Sequence, residues 1–257
     1  MSTMPTATRM FRKLHRLALF SLLLLLPALA SARVYLVSVG VSDYPGNSMD
    51  LRLPAKDAQT ITWLYSKNST LSYSQLLNEE ATTARIVAAM NKVFTKAGTD
   101  DIVIFFFSGH GYPGGFCAYD GNLDYRAIRQ AMARSKCKNK MIFADACFAG
   151  KMRSEGRRPA SNNASTELSA AKRSNVMLFL SSRSNETSIE RPDMQNGLFT
   201  TFLQKGLRGA ADTNKDRVIT ARELFNYVHA QVSANSNDKQ HPVMWGKFSD
   251  HMPVMSW

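Results

Sequence analysis

Four apolar runs stand out along the chain, and none of them alternates with polar residues. Arg33 to Val41 is rich in valine, Ile102 to Phe107 is unbroken, and Lys140 to Ala146 and Val176 to Leu180 follow the same pattern. A strand reads this way when both of its faces are covered, as in a parallel sheet flanked by helices. Between the runs the period changes. Pro54 suits the first turn of a helix whose apolar stripe is Ala55, Ala58, Ile61, Trp63, Leu64 and Tyr65, with Asp57 near its positive end. A second helix starts near Thr82 or Thr83, runs through Ile86, Val87, Met90, Val93 and Phe94, and is stopped by Gly98. Further helical stretches fall at about 124–134, 197–207 and 220–232. The alternation predicts an α/β fold with a mainly parallel central sheet, right-handed crossovers and helices on both faces.

Residues 1–32 do not belong to that pattern. Arg9, Arg12, Lys13 and Arg16 precede an apolar run from Leu17 to Ala30 and then the small triplet Ala30-Ser31-Ala32. Fourteen residues fall short of the roughly 20 that cross a bilayer, so this reads as a secretory signal peptide cleaved after Ala32, leaving a domain at 33–257 that is secreted or periplasmic and retains no membrane span. Cleavage removes four positive charges and lowers the net charge from +12 to +8. Half of what remains sits between Lys151 and Arg173, where six Arg and Lys face Glu155 and Glu167. That segment has no aromatic residue to stack on bases, so no nucleic-acid partner is expected.

The stretch from Lys151 to Asn175 is rich in Ser, Asn, Arg and Ala and reads as a mobile loop, longer than most connections in a compact domain. Three cysteines, Cys117, Cys137 and Cys147, leave at least one thiol unpaired in an oxidising compartment. A bridge between Cys117 and Cys137 is open on count alone. Against it, Cys137 should begin a strand at the end of the sheet opposite the motifs described next.

Ligands of an open α/β sheet gather beyond the carboxyl ends of its strands. Two chemical motifs lie there: Ser108-Gly109-His110-Gly111 follows the Phe-rich run, and Asp145-Ala146-Cys147-Phe148-Ala149-Gly150 closes the next. A thiol becomes an effective nucleophile when a base favours its thiolate, and an imidazole is the usual one. His110 and Cys147 are 37 residues apart, a separation that one crossover helix between adjacent parallel strands would close.

In order and context these motifs resemble the caspase and metacaspase superfamily, and the resemblance continues through Tyr119-Asp120-Gly121, the run at Val176 and Gly197-Leu198-Phe199-Thr200-Thr201. It is nearest the bacterial metacaspase-like members. The resemblance implies a caspase-like three-layer sandwich and a cysteine endopeptidase. In it Cys147 attacks the scissile carbonyl, His110 moves protons, and the backbone amides of Gly111 and Cys147 form the oxyanion hole. No cofactor is required for that chemistry, and peptide or protein substrates and a monomeric enzyme are expected.

Caspases proper cut after Asp, through a positively charged pocket and a Gln two residues before the nucleophile. Asp145 stands at that position here, and a carboxylate there favours Arg or Lys and penalises Asp. Metacaspases of basic specificity resemble the chain again in an acid on the first helix, Asp57, and a serine two residues before the histidine, Ser108, although a Cys common in that family is replaced by Pro54. The alternatives are structural: Asp57 would serve its helix terminus and Asp145 would bond loop amides. For an enzyme cutting after basic residues, Arg153, Arg157, Arg158, Lys172 and Arg173 in the loop are candidates for self-cleavage. A noncatalytic scaffold or peptide-binding module, and an Asp-directed peptidase, are the competing functions.

One further motif points to a metal. Asp212, Asn214, Asp216, Val218 and Glu223 have the spacing of an EF-hand-like calcium loop, but Arg217 replaces the turn glycine, and Thr220 with Glu223 equally forms a capping box for the following helix.

Overall fold

The valine-rich run forms β1 (Val34–Gly40), and every residue in it is buried. The computed structural model describes residues 32–112, 114–146, 176–183, 186, 188–191 and 193–257. The segment read as a signal peptide up to Ser31, Cys147, and residues 151–175 expected as a loop with five basic candidates lie outside the described residues. After β1 come α1 (Pro54–Asn68), β2 (Leu71–Leu77), α2 (Thr83–Phe94) and β3 (Ile102–Ser108). A small antiparallel sheet of β4 (Gly111–Tyr112), β5 (Gly115–Ala118) and β6 (Gly121–Asp124) leads into α3 (Tyr125–Arg134). β7 (Asn139–Asp145), β8 (Val176–Leu180) and α4 (Leu198–Lys205) follow. The chain closes with β9 (Val218–Thr220), α5 (Ala221–Asn235), β10 (Val243–Gly246) and β11 (Pro253–Ser256).

The central sheet has the order β10-β8-β7-β3-β1-β2, parallel except for β10, which runs antiparallel to β8. Successive residues of β3 serve opposite faces, as a pleated strand requires. Phe105 and Phe107 join Ile86, Met90 and Phe94 of α2 and Ile128 and Met132 of α3. Ile104 and Phe106 join Ile61, Leu64 and Tyr65 of α1, Phe199 and Leu203 of α4 and Val228 of α5. These are two apolar cores with a sheet between them, the three-layer α/β sandwich expected from the apolar runs. Truncating a fully buried ring such as Phe106 to Ala would cost about 3–5 kcal/mol.

One strand is added, two local expectations change, and the open cysteine pairing is decided. β2 was not evident in the sequence, because its polar Ser and Gln residues and lone buried side chain suit an edge strand rather than a covered one. Trp63 is half exposed, so it lies off the α1 stripe, and buried Thr60 and Thr62 take part in that face instead. α2 ends at Phe94 with Thr95 as its cap, before Gly98 is reached. Cys117 and Cys137 are both free thiols. Cys137 donates to the carbonyls of Asp101 (2.9 Å) and Asn139 (3.3 Å) at the amino end of β7, the end away from the motifs, and burial pushes it up to about 11.

Candidate active site

Strand register brings the two motifs level. β1, β3 and β7 pair so that Gly40, Ser108 and Asp145 stand side by side, and the Gly109 amide donates to the Asp145 carbonyl (3.2 Å). His110 and Cys147 each come two residues after a member of that row, on strands about 4.8 Å apart. The described residues end on the β7 side at Ala146, the immediate neighbour of Cys147. Ser181, wholly buried beyond the end of β8, fixes that neighbour twice: the Ala146 amide donates to its Oγ and its Oγ donates to the Ala146 carbonyl, both at 3.2 Å.

His110 is oriented through backbone and ring contacts. Its amide donates to Tyr44 Oη (3.0 Å), which in turn donates to the Cys117 carbonyl (3.2 Å), and the Tyr44 ring lies tilted against the imidazole. Burial pushes the Tyr44 phenol well above its usual range, so it stays a neutral donor. His110 Nε2 lies 2.8 Å from the Met49 carbonyl. A carbonyl only accepts, so Nε2 carries the hydrogen and a neutral ring keeps its lone pair on Nδ1, the nitrogen left to act as base. Gly109 makes the approach feasible. Its φ is +151°, and a Cβ added there would stand 2.8 Å from Tyr44 Oη, which leaves no room for a side chain.

Gly111 pairs opposite Phe116 in β4 and β5, and the bond beside that pair runs from the Cys117 amide to the His110 carbonyl (2.9 Å). Gly111 is therefore at a non-hydrogen-bonded ladder position, with its amide directed away from β5. The amide of Gly111 is thus not taken up by the small sheet.

The side chains of Ser108 and Asp145, two members of this row, converge with Asp57 of α1. Asp57 is 1% exposed and Asp145 6%. Asn196 Nδ2 (2.8 Å) and the Gly197 amide (3.0 Å) donate to Asp57 Oδ1, and Ser108 Oγ (2.8 Å) donates to Oδ2. The Thr200 amide (3.1 Å) and hydroxyl (2.8 Å) donate to Asp145 Oδ2. A Cβ added to Gly197 would lie 3.2 Å from Asp57 Oδ2 and closer still to Asp145 Oδ2, so one glycine separates the two carboxyls. Burial raises both. It holds Asp57 well above the usual carboxylate range, with the Asp145 charge adding to the rise against the bonds from Asn196, Ser108 and Gly197. It pushes Asp145 up to about 6 against the bonds from Thr200 and Ser188, with Glu190 adding a smaller push. Among the described residues no ion pair reaches either group.

Asp57 lies in the first turn of α1, as the helix-terminus alternative has it, but its carboxyl bonds other elements rather than capping that helix. Amides at and just before the start of α1 are satisfied from elsewhere: Ser42 Oγ accepts from Ala55 N (2.9 Å), and Glu190 accepts from Leu53 N (3.2 Å) and Arg52 N (3.3 Å). In return the Arg52 guanidinium donates to the carbonyls of Met194 (3.2 Å) and Arg191. This reciprocal clasp holds the segment carrying Ser188, Asn196 and Gly197 against α1. The amide-bonding alternative for Asp145 is met in part, since it serves the third residue of α4.

Tyr44, Met49, Ser181, Glu190, Asn196, Gly197 and Thr200 were not singled out in the sequence as parts of a site. Gly197 and Thr200 lie in the stretch that carries the family resemblance, which was the available signal. Nothing in a residue type marks the Met49 carbonyl.

The EF-hand-like residues are spaced as expected but are occupied with one another. Glu223 Oε1 accepts from the amide and hydroxyl of Thr213, and Oε2 from the amide and hydroxyl of Thr220, completing the capping box of α5. Asn214 and Asp216 bond each other and Asp216 accepts from the Val218 amide (2.8 Å). Asp212 Oδ2 accepts from the Arg217 amide (3.1 Å), while its Oδ1 is buried without a partner. Among the described residues no three His, Cys, Asp or Glu side chains gather as a metal-holding group. No helix among them is long and apolar enough to cross a membrane.

A mainly parallel three-layer sandwich with the Ser108–Gly111 motif and the carboxyl end of β7 side by side is the arrangement of a caspase-like domain. A model of the caspase domain matches residues 33–252, and the chain belongs to that family. Its fold is similar to that of a protein of Geobacter sulfurreducens (TM-score 0.60, 15% identity, covering 84% of this chain and 94% of the other). It is equally similar to caspase-1 from Spodoptera frugiperda (TM-score 0.60, 15% identity, 85% and 88% covered) and resembles the pro-form of an Sf caspase-1 (TM-score 0.56, 13% identity, 85% and 92% covered). No curated protein matches the chain in sequence.

Proposed function

We propose that the chain is an exported, monomeric cysteine endopeptidase that cleaves proteins after Arg or Lys. Cys147, deprotonated with the help of His110 Nδ1, attacks the scissile carbonyl, and the Gly111 and Cys147 amides receive the oxyanion. The imidazolium gives its proton to the leaving amine as the C–N bond breaks. His110 then takes a proton from water, which hydrolyses the thioester and returns the thiol.

The observation that carries the specificity is the buried pair Asp57 and Asp145, bonded to neutral donors and to no cation among the described residues. An Asp side chain brought beside them would add a further negative charge to a desolvated site, whereas Arg or Lys supplies the missing positive one. Arg52, just before α1, has its guanidinium committed to loop carbonyls, so it is a poor partner for an acidic P1 residue.

A panel of fluorogenic peptides differing only at P1 tests this with the purified chain. Turnover of Arg and Lys substrates, abolished in Cys147→Ala, is expected. Hydrolysis of the Asp substrate alone would reverse the specificity, and no turnover of any member would favour the scaffold. Mass measurement of the exported protein, with Arg33 as the expected first residue, tests the export reading.

A further inference from the structure

A basic P1 side chain brings one positive charge to two carboxyl groups. We propose that the Asp57–Asp145 pair divides its labour: with the P1 cation bound, Asp145 faces it as a carboxylate while Asp57 remains a neutral acid that donates to Ser108. This deepens, and rests on, the basic-P1 reading.

The geometry supports both halves. Two carboxyls on either side of one glycine, almost without exposure, cannot both ionise cheaply, and a single cation neutralises one of them. Asp145 is placed to be the charged member, because its Oδ2 accepts from the Thr200 amide and hydroxyl together, two donors on one oxygen. Asp57 is placed to be the neutral one. Its Oδ1 collects the obligate donors Asn196 and Gly197, while its Oδ2 meets only the Ser108 hydroxyl among the described residues. A hydroxyl accepts as readily as it donates, so the 2.8 Å contact survives when the proton moves to Asp57.

The other groups facing the pair agree. Ser188 reaches Asp145 from the segment after β8, and Asn196 bridges Asp57 and Thr60 of α1. Glu190 is the further acid acting on Asp145, and Arg52, its neighbour in the clasp, spends its guanidinium on carbonyls. Burial pushes Asp145 only to about 6, but holds Asp57 well above its ordinary range, with the Asp145 charge raising it further.

Substitution tests the division, because Asn imitates a neutral acid. Asp145→Asn should lower kcat/KM for a P1-Arg peptide by at least about 100-fold, mainly through KM, while Asp57→Asn should lower it by less than about tenfold. An equal, large loss in both variants would show that both carboxylates are needed ionised and would overturn the inference without touching the basic preference. A proton count on full-length Cys147→Ala protein keeps the test independent of the folding of either Asn variant. Binding of a P1-Arg peptide, measured by calorimetry in buffers of different ionisation enthalpy and referred to the same peptide with neutral citrulline, should release about one proton at pH 5 and nearly none at pH 7.5. Release of about one proton at pH 7.5 would mean that Asp57 ionises too, and the inference fails. Tight binding of a P1-Asp peptide, with none of the P1-Arg peptide, would remove the underlying reading as well.

Discussion

Two groups of acids in this chain are treated in opposite ways. Asp57 and Asp145 are desolvated at the ends of the central strands and pushed up, whereas Glu223, in a turn at the start of α5, is held below its usual range. Burial pushes Glu223 up as well, but the bonds from Thr220 and Thr213 outweigh it. The number of donors is similar in the two places. Solvent makes the difference: Glu223 remains partly hydrated, so its four donors are a net gain, while around the buried pair the same bonds recover only part of what dehydration costs. Acids that lower stability and lack a cation point to a ligand. Acids that close a capping box explain themselves.

The largest effect separates chemistry from recognition. His110→Ala should reduce kcat for a P1-Arg substrate by about 10²–10⁴-fold with KM changed little, because it removes the base and leaves the buried pair intact. Steady-state kinetics on the purified variant checks this, and a loss confined to KM would place His110 in recognition.

Asp145→Asn addresses the pair itself. It should weaken cleavage after Arg and yet raise Tm at neutral pH by a few degrees, at about 2–4 °C per kcal/mol for a domain of this size. The sign follows from linkage. A carboxyl raised in the folded state favours folding below its unfolded value and loses that contribution as pH rises through about 6. The gain of the variant over wild type should therefore be absent near pH 4 and complete above pH 6. A fall in Tm at pH 7 would mean that the carboxylate stabilises the fold, and the contrast would collapse.

Glu223→Gln tests the opposite sign. Its carboxylate is held low, so its contribution is present above the unfolded value and lost as pH falls through the folded one. The variant should lose about 0.5–2 kcal/mol at pH 7, as for a lost helix cap, and the deficit should shrink in acid. A Tm scan from pH 7 to pH 3.5 checks both statements.

The smallest expected effect concerns calcium. With Glu223 already accepting four hydrogen bonds, millimolar calcium added to chelator-treated protein should move Tm by less than about 1 °C. A rise of several degrees, lost in Asp212→Asn, would show that the loop recruits the ion through the free Asp212 oxygen.

Much of the fold was legible because a covered parallel strand needs a mainly apolar run, and β1, β3, β7 and β8 each carry one. β2 has one buried residue and no such signature. The two candidate motifs were legible for a related reason: both sit at the ends of those strands, and parallel register equalises the heights of the strand ends whatever the length of the chain between them. Asp57, Ser108 and Asp145 could be named in advance. Their partners could not, since Asn196 lies 139 residues from Asp57, and Thr200 lies 55 from Asp145.

By itself, then, the order of residues determined the layers, the strand ends that carry chemistry and the identities of the two acids, because periodicity and motif are local. Only the tertiary structure decided that those acids share one desolvated place, that the Met49 carbonyl selects the tautomer of His110, and that Glu223 is already satisfied. Solvation and hydrogen bonding depend on which distant groups fold together, and no local pattern encodes that.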